Sequence, residues 1–190
     1  MAGLLFLAFA YFAVGQAAFT RNSAQTAADA AALAAAQDAR EQLREGWLEV
    51  ILEPDQWDEF IEGEAYDPIS ACASAADFAS RNEATLTNPG CEPFTAEVSG
   101  FRVAVLTTGG ENPARAFAEA VIEPRCRFMA QEPTTEPPPA PSSPQPSGEP
   151  EEEPPGPIRG LSCDGRSWDI DPEDPRLPDI DDLFTVRLSE

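Results

Sequence analysis

The sequence predicts an α+β protein: one long N-terminal helix, half of it membrane-inserted, packed through its soluble half on a small antiparallel sheet. Three observations carry this. Residues 4–52 contain no proline and are dominated by apolar residues and alanine. From 94 to 128 apolar and polar residues alternate, which is the period of a half-buried strand. A Pro/Glu-rich run at 131–157 then interrupts the pattern, and apolar residues return after it. The expected segments are an anchor at 1–20, an Ala-rich continuation of the same helix at 21–53, and an α+β module at 54–130. A disordered spacer at 131–157 and a β segment at 158–190 that completes the module follow.

Composition narrows the function. The 190 residues carry a formal net charge of −22. Phosphate backbones need clustered cations, so nucleic acid is excluded as a partner. General adhesion to anionic headgroups is disfavoured for the same reason. There is no histidine, so the commonest general base and metal ligand is missing. No nucleophile is paired with a base, and no Gly-rich phosphate loop is present. The chain is read as a non-enzyme without a cofactor. All basic residues are arginine, and alanine is abundant, a composition that fits a GC-rich, actinobacterial genome.

The N-terminal residues read MAGLLFLAFAYFAVGQAA, and no charge occurs before Arg21. Eighteen to twenty helical residues span about 30 Å, the thickness of a hydrocarbon core. A cleaved signal peptide would carry a basic leading stretch, which is missing, and only Gly15-Gln16-Ala17 resembles a cleavage site. A buried core helix would have to be apolar all round. A single-pass membrane anchor fits the length best. The missing basic flank also predicts a start further upstream. Acidity and cysteine content, rather than loop charges, place the remainder outside the cell.

The helix does not stop at the anchor. Ala32, Ala36, Ala39, Leu43, Trp47, Val50 and Ile51 recur at spacings of three and four and form one apolar stripe. Gly46 is expected to weaken the helix locally. Repeated small residues let helices approach closely, in lipid or in a bundle, and suit packing against copies or related subunits. The stretch Gln25-Thr26-Ala27-Ala28-Asp29-Ala30-Ala31-Ala32-Leu33-Ala34-Ala35-Ala36 resembles the N-terminal motif of the TadE/TadG group of Tad-type (Flp) pilus-assembly proteins. Its informative letters are Gln25, Asp29 and Leu33, on one helical face, preceded by Arg21-Asn22. The resemblance implies a membrane-anchored, pseudopilin-like or accessory subunit of a pilus or secretion machine. It also implies a pilin-like shape, partners among other such subunits met through the helix, and no enzymatic activity. Prepilin peptidase cleaves after a glycine with a glutamate five residues on. Gly3 is followed there by Ala8, which favours an uncleaved, TadG-like anchor.

Beyond the helix, Asp55 to Ile61 reads as a short helix capped by Asp55, and Asp67-Pro68 opens another that runs to about Asn82. The second presents Ile69, Cys72, Ala76 and Ala79 as its apolar face. Asn88-Pro89-Gly90 reads as a turn. Phe94, Ala96 and Val98 alternate with polar residues, and the phase flips to Phe101, Val103 and Val105. The flip at Ser99-Gly100 predicts a bulge or tight turn. Gly109-Gly110 and Asn112-Pro113 mark the next reversal. Ala116, Ala118, Ala120, Ile122, Cys126 and Phe128 form the clearest strand. Asp164-Gly165 signals a hairpin, and 183–188 a last strand.

Four cysteines, Cys72, Cys91, Cys126 and Cys163, form no C-x-x-C pair and read as two disulfides. The element layout favours Cys72–Cys91 and Cys126–Cys163 over the other two pairings. Asp169, Asp171, Glu173, Asp174, Asp179, Asp181 and Asp182 cluster near the end, but prolines break the run and no EF-hand pattern fits, so a solvated acidic loop is expected. The function expected from the whole is an accessory or minor pilus subunit. The alternative is a membrane-tethered acidic module that contacts a cationic partner or Ca²⁺.

Overall fold

The computed structural model describes residues 2–95, 97–109, 113–130 and 156–189. Helix α1 spans Ala2–Glu49 without interruption. No proline breaks its hydrogen-bond ladder, and alanine-rich sequence sustains it. It ends three residues before 52, where the chain turns back and the Val50 carbonyl accepts from the Glu53 N–H (2.8 Å).

The expected helix at 55–61 is two elements. A 3₁₀ turn covers Pro54–Gln56, and helix α2 covers Asp58–Ile61 with Trp57 as its N-cap. Asp55 caps nothing. The indole of Trp57 dictates the break: it is fully buried, lies 5.5 Å from Trp47 and 4.7 Å from Phe128, and donates to the Val50 carbonyl (2.9 Å).

Helix α3, Pro68–Arg81, is capped as its sequence predicts: the Asp67 carboxylate accepts from the Ile69 and Ser70 N–H groups (2.9 and 3.4 Å). Its buried face is only in part the expected one, sharing Ala79 and the half-buried Cys72. Ala71, Ala75 and Ala79 are buried, whereas Ile69 is 80% exposed and Ala76 is exposed. The single large side chain misled the assignment, because α3 packs on an alanine surface where only small residues let the helices meet.

The main sheet has the order β1-β2-β3-β7, all antiparallel, from β1 (Ala84–Thr95), β2 (Ser99–Thr107), β3 (Arg115–Pro124) and β7 (Phe184–Leu188). Strand β1 starts ten residues before Phe94. Asn88-Pro89-Gly90 does not end it. The register instead slips there, Leu86 facing Val105 and Cys91 facing Val103, so the segment bulges out of a continuous strand. Thr95 faces Ser99, so the reversal comes before the expected Ser99-Gly100, which open β2, and Val98, read as a strand residue, lies in the connection. Ala96 of the predicted strand and Gly110 and Asn112 of the predicted turn lie outside the described residues, as does most of the 131–157 spacer.

A second sheet, β4-β5-β6, comprises β4 (Cys126–Phe128), β5 (Ile158–Cys163) and β6 (Arg166–Ile170). Thus the alternating run 115–128 serves two sheets, changing from one to the other at Arg125. The β5–β6 hairpin turns at Asp164-Gly165, both with positive φ (48° and 77°), as the dipeptide predicts. A short helix α4, Ile180–Leu183, leads into β7. The core gathers Leu43, Trp47, Phe101, Val103, Val105 and Ile122 with the alanines of α1 and α3.

Candidate membrane helix and assembly surface

Helix α1 has two physical regimes. From Leu4 to Phe19 the described side chains are exposed and stand apart from the rest of the described structure. Leu4, Leu5, Phe6, Leu7, Phe9, Phe12, Val14 and Phe19 are each more than 60% exposed. Water would not tolerate so much contiguous apolar surface. Among the described residues this is the one helix long and apolar enough to cross a membrane. The stretch Ala2–Thr20 is about 28 Å long at 1.5 Å per residue, close to the hydrocarbon thickness.

From Ala24 onward the same helix is enclosed. Ala24, Ala27, Ala28, Ala31, Ala32, Ala34, Ala35, Ala36 and Ala39 are all buried. The stripe read from the sequence covers part of this. Ala32, Ala36, Ala39, Leu43 and Trp47 are buried, whereas Val50 and Ile51 are half-buried and lie beyond the helix end. A second stripe meets α3. The Asp67 N–H donates to Gln42 Oε1 (2.7 Å), and Ser74 Oγ donates to Asp38 Oδ2 (2.6 Å), so α3 runs antiparallel along α1. The signal for this contact was present in the sequence: Ala71, Ala75 and Ala79 repeat every four residues, and Ser70 and Ser74 repeat beside them. Most of the alanine surface that suits helix packing is therefore covered by the chain itself.

The motif residues occupy the junction of the two regimes. Arg21 and Asn22 are exposed. Gln25 donates to Asp29 Oδ1 (2.8 Å) and to the Phe117 carbonyl on β3 (3.3 Å). Asp29 is half-buried, and Leu33 is partly buried against the core. The i, i+4 pair thus ties the helix to the sheet just above the apolar half. Phe117, which sequence reasoning did not single out, is 69% exposed on the strand held by Gln25.

The cysteines brace this scaffold. Cys72 on α3 is joined to Cys91 on β1, and Cys126 on β4 to Cys163 directly opposite on β5. The acidic residues near the end have internal roles. Asp181 pairs with Arg40 of α1 (2.9 Å), Asp182 accepts from the Asp179 N–H (3.2 Å), and Asp171 accepts from the Glu173 N–H (2.9 Å). Asp169 lies 3.9 Å from Arg159. Among the described residues, no three His, Cys, Asp or Glu side chains gather as a metal site would require.

Residues 1–38 match the Tad family model, described as "Putative Flp pilus-assembly TadE/G-like". The Tad segment therefore comprises the exposed half of α1, the Gln25–Asp29 junction and the alanines as far as Asp38, the residue that holds Ser74 of α3. No curated protein and no solved structure matches the chain. The sheets and disulfides that follow the Tad segment are thus described from the structure alone.

Proposed function

We propose that this chain is a non-enzymatic accessory or minor subunit, pseudopilin-like, of a Tad/Flp-type pilus or secretion apparatus. Its apolar half would sit in the cell membrane as a single pass, with the disulfide-bearing module on the outer side. The observation that carries this reading is the coincidence of the Tad match with α1. The matched residues take in the whole uncovered apolar half of the helix and the buried alanines where it enters the folded module. Disulfides favour an oxidising compartment, which supports the outward side. The alanines are enclosed by the chain's own sheet and α3. Contact with other subunits would therefore use the lipid-facing half of α1 and the exposed motif residues Arg21 and Asn22, with Gln25 and Asp29 holding the junction.

The test is co-purification of the full chain with other pilus proteins, and piliation of cells that carry Gln25→Ala with Asp29→Ala. Disulfide mapping accompanies it, to separate lost assembly from lost folding. Impaired assembly with both disulfides intact is expected. Normal piliation and no co-purifying pilus protein would sink the reading.

A second reading, a tethered module for a cationic partner, draws on Asp58, Glu62, Glu64 and Glu97. These line one cleft beside Arg127 and form no ion pair among the described residues. It predicts that residues 21–190, which include the core residues Leu43 and Trp47, bind such a partner alone.

A further inference from the structure

The strands of the main sheet run alongside α1, and their heights can be compared. Gln25 is bonded to the Phe117 carbonyl. Further along, Gly63 lies between Pro124 and Leu43. The seven residue steps of strand from 117 to 124 therefore track the eighteen steps of helix from 25 to 43. The lengths agree, at about 23 Å of strand and about 27 Å of helix. Strand β3 thus points in the direction of α1, and its first residues lie at the level where the apolar half ends. Arg115 is two strand residues before Phe117, about 7 Å lower. Arg21 is four helix residues before Gln25, about 6 Å lower. The two arginines stand level, both exposed.

Charge is distributed unevenly along this axis. Glu41, Glu45 and Glu49 of α1, Asp58 of α2 and Glu62 just after it, and Glu97 at the β1–β2 turn all lie toward the far end. Toward the near end, among the described residues, Asp29 accepts from Gln25 (2.8 Å), Asp77 is paired with Arg81 (2.5 Å), and Glu83 is a third acid, against which stand Arg21, Arg81 and Arg115. The acidic far end begins about 30 Å from Arg21, several screening lengths away at physiological salt. Among the described residues the near end is thus close to balanced, and the net charge of −22 is not spread evenly along the axis.

On the reading that Leu4 to Phe19 lie in the bilayer, we infer that the near end of the sheet rests on anionic lipid headgroups. Arg115 of β3 and Arg21 of α1 would meet the phosphates, and the exposed ring of Phe117 would lie at the outer limit of that layer. The headgroup region is about 5–7 Å deep on each side, and Arg115, level with Arg21 and so about 3 Å beyond Phe19, falls within it. Arginine suits phosphate through its planar fork. Leu106, opposite Arg115 in the register, adds apolar surface on the same face of the sheet. The contact would fix the tilt of the module on the membrane, since α1 alone supplies a single pivot.

The experiment uses the full chain in nanodiscs that contain phosphatidylglycerol and a lipid with a nitroxide on its headgroup. Phe117→Trp places an indole at the near end, whereas Trp47, Trp57 and Trp168 lie in the far part of the module. The expected result is that the emission added by Phe117→Trp is quenched while the three native indoles are not. Arg115→Glu in that background should remove most of the quenching. A second variant, Phe12→Trp, with bromine on the acyl chains, reports on the span. If Phe12→Trp is quenched and Phe117→Trp is not, the headgroup contact is overturned and the membrane reading stands. If neither is quenched, the membrane reading fails and the contact with it.

Discussion

At Gly46 the sequence and the structure give different reasons for the same residue. Propensity alone makes a mid-helix glycine a weakness of about 1 kcal/mol relative to alanine. In the fold, a Cβ at this position would lie 2.3 Å from Phe60 Cε1, so the glycine makes room for an aromatic ring of α2. A rigid ring cannot give way cheaply, and overpacking costs about 1–3 kcal/mol. Gly46→Ala should therefore destabilise by about 1 kcal/mol net, read from urea midpoints. In a Phe60→Ala background the same change should stabilise. A second residue-scale expectation concerns acid. The Arg187 guanidinium hydrogen-bonds to Glu123 Oε1 (2.5 Å) and holds the carboxyl below the usual carboxylate range. A lowered folded value means that the pair's stabilisation is present above the unfolded carboxylate pKa and is lost as pH falls through the folded one. The pair is solvent-exposed, so it contributes at most about 1 kcal/mol. Glu123→Gln should lower Tm at neutral pH, and the gap to the wild-type chain should close as pH falls below 4.5, the ordinary value for this group. A gap that persists in acid would mean the carboxylate's charge is not what matters.

At the scale of elements, the α1–α3 contact is made of alanine on both sides, which leaves no slack. Ala75 is fully buried at the middle of the α3 face. Ala75→Leu should cost about 1–3 kcal/mol by forcing the helices apart, whereas Ala76→Leu, one position round on the exposed side, should be nearly neutral by the same measurement. Equal effects would place the contact face elsewhere on α3. This element also marks what could be read in the sequence. The cap at Asp67, the Asp164-Gly165 hairpin and the strand through Ala116 to Ile122 are local patterns, each fixed by a few neighbouring residues, and all appear where expected. The face of α3 was not legible, because Ile69 outweighs three alanines in any apolar count, although only the alanines fit the partner surface. The first ten residues of β1 were missed for a related reason. Asn, Pro and Gly at 88–90 read as a chain reversal, whereas the strand tolerates them in a bulge on an edge position. Of the candidate assembly surface, Gln25, Asp29 and the apolar run were legible. That the alanines among them are internal was not, since small residues carry the same pattern whether they meet a partner or their own chain.

For the molecule as a whole, the two regimes of α1 imply that anchor and module are energetically separate despite sharing one helix. Residues 4–19 contribute no contact to the core, whereas Ala24 to Trp47 form much of it. Removing the first twenty residues therefore deletes only surface-exposed helix, and the new start at Arg21 lies before the first buried alanine. Fraying of a turn or so at the new end is held in check by the Gln25–Asp29 pair and by its bond to Phe117. The shortened chain, residues 21–190, should be soluble without detergent, should form both disulfides, and should melt within a few degrees of the full chain in detergent. A cut at residue 54 should instead abolish the melting transition, because Leu43 and Trp47 leave with the helix and their loss exceeds the few kcal/mol that hold a small domain together. Thermal melts of the three chains, with disulfide mapping, separate these outcomes. A 21–190 chain that is unfolded or aggregated would show that the apolar half of α1 supports the module.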